Sequence, residues 1–169
     1  MKKPILIVII LLSALIFTLF IATPVRASPS NKIPVIITTG TFFFVPPTET
    51  NTVGNTLHQQ GGSSGYTSFI ITGQGIDLAG SSLNKINIDI NQRNGMGIIH
   101  EYSVLTFEGG TFEAQICSAG IFTGLVSGLP IPTDLMQHAV YIGKGDYQGW
   151  SLSVLLQNGV ITQATMLIP

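Results

Sequence analysis

The runs Trp150-Ser151-Leu152-Ser153-Val154-Leu155-Leu156-Gln157 and Val160-Ile161-Thr162-Gln163-Ala164-Thr165-Met166-Leu167-Ile168 decide the fold class. Between them stands Asn158-Gly159. A tight hairpin turn needs positive φ at its central positions, and Asn and Gly tolerate that best. Two strand-length runs around such a pair predict an antiparallel hairpin.

Working back along the chain, a second pair, Asn94-Gly95, separates Leu83–Asn91 from Ile98–Phe107. In the first of these, Ile86, Ile88 and Ile90 alternate with Asn87 and Asp89, the period of a strand buried on one face. Glu108-Gly109-Gly110 then joins Ile98–Phe107 to Thr111–Cys117, so three hairpin connections predict a meander. Further strands are expected at Pro34–Val45, Tyr66–Thr72, Ile121–Val126 and His138–Ile142. Thr48–Gly65 is polar and glycine-rich and reads as a mobile loop. Gly128–Gln137 holds Leu129-Pro130-Ile131-Pro132, which argues against regular pairing, and Thr133-Asp134 reads as the cap of a short helical turn. The expected architecture is all-β: one antiparallel barrel of about eight strands, with a β-sandwich as the alternative.

Residues 1–27 differ from the rest. Lys2 and Lys3 precede an apolar run from Ile5 to Ala22, interrupted only by Ser13 and Thr18, and Val25-Arg26-Ala27 supplies a cleavage-type triplet. This predicts a hydrophobic N-terminal helix that is a signal peptide cleaved after Ala27 or, uncleaved, a membrane anchor. Either way residues 28–169 form a single secreted or extracytoplasmic domain, touching a membrane only through an uncleaved leader. Three of the seven basic residues, Lys2, Lys3 and Arg26, lie in this leader, leaving Lys32, Lys85, Arg93 and Lys144 against eight acids. No basic patch remains for nucleic acid. The single cysteine, Cys117, permits no intramolecular disulfide and reads as an inert core thiol.

The chemistry-bearing residues form no recognisable machine. His100-Glu101-Tyr102-Ser103-Val104 lacks the second histidine of a zinc-protease helix and lies in a strand, where His100 and Glu101 point to opposite faces. His58, His100 and His138 are far apart in sequence, so no metal site and no cofactor are expected. Glu101 and Glu113 share a predicted hairpin. Counting outward from Gly109 sets 113 opposite 105, which separates the two carboxylates. Gly62-Ser63-Ser64-Gly65, Gly73-Gln74-Gly75 and Gly143-Lys144-Gly145 lack the contexts of a nucleophile elbow or a phosphate loop and read as turns.

One segment says more. Ile142-Gly143-Lys144-Gly145-Asp146-Tyr147-Gln148-Gly149 resembles the Gly-Thr-Gly-x-Tyr/Phe-x-Gly segment of the allene oxide cyclase and dirigent-like β-barrel superfamily, including its microbial secreted members. Gly40-Thr41-Phe42-Phe43-Phe44 and Phe107-Glu108-Gly109-Gly110-Thr111-Phe112 resemble that group's opening strand and central hairpin. Lys144 stands where the family usually has Thr, and the acidic catalytic residues of its members have no located counterpart. The resemblance implies an eight-stranded barrel, not a reaction.

The leading functional expectation is a noncatalytic exported barrel that binds a small apolar ligand or a surface partner. The expected lining is Phe42, Phe44, Phe69, Tyr102, Phe112, Phe122 and Trp150. The alternatives are an isomerase or cyclase acting on an apolar substrate, with Glu113, His100 and Tyr102 as first candidates, and a structural cell-surface protein.

Overall fold

The computed structural model describes residues 31–126 and 129–169. They form ten strands in chain order: β1 (Asn31–Thr39), β2 (Phe42–Val45), β3 (Glu49–Val53), β4 (Thr56–Gly73), β5 (Ile76–Asn91), β6 (Met96–Phe107), β7 (Gly110–Val126), β8 (Leu129–Gly145), β9 (Ser151–Gln157) and β10 (Val160–Ile168). The leader expected over residues 1–27 lies outside the described residues.

From β4 to β10 each strand pairs antiparallel with the next, and β1 closes the ring. Its first half pairs with β10, Asn31 opposite Ile168, and its second half with β4, from Val35 opposite Gly73 to Thr39 opposite Phe69. The result is a closed eight-stranded barrel rather than a sandwich. β2 and β3 are two outer strands that continue along the same edge of β4 where β1 leaves off. The single strand expected over Pro34–Val45 is therefore broken at Gly40-Thr41. The ladder bridges that break through Gly40 N–H to the Ser68 carbonyl (2.8 Å) and Thr67 N–H to the Thr41 carbonyl (3.0 Å).

Two stretches read as irregular are in fact strand. Thr48–Gly65 contributes β3, the turn at Gly54-Asn55 and the first half of β4, not a loop. Its glycines permit close strand approach: a Cβ at Gly65 would collide with the Ser82 carbonyl oxygen of β5. The prolines of Gly128–Gln137 likewise lie within β8, Pro132 opposite Phe122 and Pro130 opposite Leu125, where the register shifts, and no helical turn forms at Thr133-Asp134. A bulge is where a strand tolerates a residue that cannot donate.

The three turns differ in detail. Asn158 (φ 50°) and Gly159 (φ 81°) form the expected tight turn. Asn94-Gly95 instead closes a longer connection between Asn91 and Met96, with Asn91 and Asn94 side chains accepting the N–H groups of Arg93 and Met96 (both 3.0 Å). Glu108-Gly109 is a two-residue turn, since Phe107 pairs with Gly110. The count that set 113 opposite 105 is thus one residue out: Glu113 faces Val104, and Glu101 faces Ile116.

Inside, side chains alternate with the strand period and separate into three zones. A large apolar cluster occupies one half, with Ile71, Leu105, Phe112, Ala139, Leu152 and Met166 almost wholly buried. Each such large side chain contributes roughly 1.5–3 kcal/mol by leaving water. A smaller cluster of Ile88, Ile90, Phe122 and Leu135, with Ile86 and Ile99 packed against it, occupies the other half. Between them lies a polar belt: Gln59, Ser64, Ser82, Ser103, Ser118 and Gln137 are all buried.

Candidate functional site

The inward face of β6 is fixed by Ser103, Leu105 and Phe107, at 1%, 1% and 6% exposure. Counting back by two from Ser103 reaches Glu101, so its carboxyl points into the barrel between the two apolar clusters. It is flanked by Ile86 of β5 and Ile116 of β7, its direct cross-strand neighbours. Among the described residues it is the one Asp, Glu, Lys, Arg or His on a strand whose position faces the interior; every other such residue on a strand takes the outward register. Burial pushes the Glu101 carboxyl up to about 7, against a hydrogen bond with the Gln137 side chain that favours the ionised form.

The belt beside it is hydrogen-bonded. The Tyr141 hydroxyl and Ser103 Oγ lie 2.9 Å apart, Ser103 Oγ donates to Asn84 Oδ1 (2.7 Å), and Asn84 Nδ2 donates to Ser64 Oγ (3.3 Å). Burial raises the Tyr141 hydroxyl to about 12, the nearby Glu101 charge adding to the effect and the Ser103 bond opposing it. Tyr141 is therefore a neutral hydrogen-bonding group at neutral pH. Glu101, Asn84, Ile86 and Ile99 face inward yet keep part of their surface accessible, as do Ile33, Ile37 and Leu78 beside the larger cluster. An inward side chain can be accessible where the interior holds space, where the barrel opens at its end, or through the wall, and Glu101 also borders the outer concavity beside Cys117.

The opposite end is closed by aromatics. Tyr147 stacks on Phe112 at 5.1 Å, meets Phe107 and Trp150 edge-on at 6.2 and 5.7 Å, and donates to the Glu108 carbonyl (2.6 Å). The segment 142–149 thus makes a plug: Gly143 has no room for a Cβ beside the Tyr147 backbone, and at Gly110 a Cβ would press on the Tyr147 ring.

The seven expected lining residues do not converge. Phe69 and Phe112 are in the larger cluster, Phe122 is in the smaller one, and Trp150 packs at the plug. Phe42, 48% exposed, lies edge-on to Tyr66 at 5.4 Å on outer strand β2, and Phe44 is half-buried on the same face two residues on. Tyr102 is on the outside of the wall.

There it belongs to a different group. Tyr102 donates to Glu113 Oε2 (2.8 Å), Lys144 Nζ donates to the same oxygen (2.5 Å), and Thr111 donates to Oε1 (3.3 Å). The Lys144 bond, then the Tyr102 bond, holds the Glu113 carboxyl below its ordinary range, and the Glu113 bond raises both Tyr102 and Lys144. These are solvent-exposed ion-pair contacts. Glu113, His100 and Tyr102 therefore sit outside the barrel and cannot serve chemistry within it.

The histidines stay apart. His58 pairs with Asp89 (2.7 Å), His138 contacts Ser153 Oγ (2.8 Å), and His100 lies opposite Cys117 on the outer wall. Among the described residues no three His, Cys, Asp or Glu side chains gather to hold a metal ion. Cys117 is exposed, not a core thiol, because inward positions on β7 are the even-numbered ones from Phe112 to Phe122. A shallow concavity of about 590 Å³ beside it is lined by Lys85, Asn87, His100, Glu101, Tyr102, Gln115, Ile116 and Cys117.

No family model matches the chain, and no curated protein or solved structure matches it either.

Proposed function

We propose that the chain is an exported barrel that takes a small, mainly apolar molecule into its interior, polar end toward Glu101. The observation that carries this is a largely buried inward carboxyl set between two apolar clusters, with hydrogen-bonding groups on one side and aliphatic side chains on the other. The leader of residues 1–27 delivers the barrel across a membrane, and the likeness to allene oxide cyclase and dirigent-like barrels agrees with an interior site. The test is a titration with Nile red, a neutral apolar dye. Binding should be lost in Ile99→Trp, which fills the accessible half, and kept in Ile36→Trp on the outer wall. Equal binding by both variants would overturn the reading.

A second reading has its own support. A carboxyl near 7 is poised to give and take protons at neutral pH, which is what an isomerase or cyclase of apolar substrates needs. Here Glu101 is the acid–base group, and Tyr141, whose hydroxyl is engaged with Ser103, holds the polar belt beside it. Deuterium uptake from heavy water into an unsaturated ketone probe, abolished in Glu101→Gln, would support this reading. Uptake undiminished in that variant would remove it.

A further inference from the structure

We infer that the interior site selects cationic, amine-bearing apolar molecules over neutral ones and excludes carboxylic acids. The inference rests on the interior-binding reading and adds the class of ligand.

Its basis is an imbalance of charge. Glu101 faces Ile86 from β5, Ile116 from β7, and Gln137 with the Tyr141 hydroxyl from β8. None of these is a cation. Lys85, His100, His138 and Lys144 all take the outward register, and the ion pairs among the described residues, His58 with Asp89 and Lys144 with Glu113, both lie outside the wall. Among the described residues the barrel thus holds an inward acidic group with amide and hydroxyl neighbours but no inward counter-charge.

An isolated carboxylate in a poorly polar surrounding is costly, and an ammonium beside it is attracted more strongly there than in water. Burying an ion pair usually gains little because both ions lose water on pairing. Here folding has already desolvated the carboxyl, so an entering amine brings only its own desolvation. Ile86, Ile88, Ile99 and Leu135 pack together on this inner face, and they are the side chains that would part to meet the chain behind the head group. A carboxylate ligand would set two like charges together, or require both to be protonated.

Three probes of one chain length separate these cases: octylamine, octanol and octanoic acid, titrated calorimetrically into the full chain. At about pH 8, with Glu101 ionised, octylamine should bind about tenfold or more tightly than octanol, and octanoic acid weakest. The advantage of the amine should vanish in Glu101→Gln while octanol binding changes little. Should that variant fold poorly, the wild-type chain still decides: at about pH 5.5 the carboxyl is protonated and the amine's advantage should collapse. Octanol binding as tightly as octylamine at the higher pH, or octanoic acid binding best, would overturn the inference and leave interior binding standing. Absence of binding by all three would remove both.

Discussion

Tyr141 of β8 reaches over β7 to Ser103 of β6, hydroxyl to hydroxyl at 2.9 Å, although these strands are not neighbours. Small Ala114 makes the crossing possible: it is the direct partner of Ser103, and the register shared by both ends of the β7–β8 ladder sets it level with Tyr141. The bond ties the polar belt across three strands.

Tyr141→Phe keeps the ring and removes the hydroxyl. Ser103 then retains only its bond to Asn84, and stability in urea should fall by about 1–2 kcal/mol. Ala114→Leu obstructs the crossing and should cost about 1–3 kcal/mol through overpacking. An unchanged unfolding midpoint in both would mean that the belt contributes nothing to stability.

Glu101 gives the fold a pH dependence with a definite sign. Its carboxyl is raised from the ordinary 4.5 to about 7, so the folded state favours the protonated form. That contribution is full below about 4.5 and is lost as pH rises through about 7, a change of roughly 3 kcal/mol by linkage. Glu113, held low by Lys144 and Tyr102, acts in the opposite sense, but its exposure keeps the effect small. Thermal midpoints should therefore fall between about pH 5 and pH 7.5, and Glu101→Gln should flatten that slope and raise the midpoint at the upper end.

Asn158 does two jobs in the last turn. Its backbone takes φ 50°, and its side-chain oxygen accepts the Leu135 N–H at 2.8 Å while its own N–H donates to the Leu135 carbonyl at 2.8 Å. Asn158→Ala retains the strained φ and loses both side-chain bonds, the one from the Leu135 N–H and the one to the Thr133 carbonyl, at a cost of about 1–3 kcal/mol. Asn158→Gly relieves the backbone and loses the same two bonds, so it should cost less. The order of the two in chemical denaturation checks the account.

Cys117 is exposed on the outer wall, opposite His100. Native protein should react with a thiol-specific disulfide reagent to the same extent as denatured protein, within minutes rather than after unfolding. Protection in the folded state would show that something covers this part of the wall.

The fold was legible where local signals agree with tertiary structure. Alternation through Ile86, Ile88 and Ile90 and the turn at Asn158-Gly159 both report short-range chemistry, and both lie where the structure needs them. The leader, by contrast, is outside the described residues. What failed was punctuation. Gly61, Gly62 and Gly65, and Pro130 and Pro132, read as chain breaks, yet they occur inside long strands, at bulges or where another strand's backbone comes close. Local propensity cannot see that neighbour. Glu101 is the instructive miss, because its direction was readable: Leu105 and Phe107 set the inward parity of β6, and two further steps of two arrive at Glu101. His100, Tyr102 and Glu113, the residues with more familiar chemistry, lie on the opposite face.

The pairing of Asn31 with Ile168 has a kinetic meaning. Hairpins from β4 to β10 can zip from their own turns as the chain emerges, but the wall cannot become a ring until its two most distant strands meet. That last contact spans nearly the whole domain, and such distant pairing is slow to form. Until then the polar belt and Glu101 remain open to water, so the site and the closed barrel come into being in the same step.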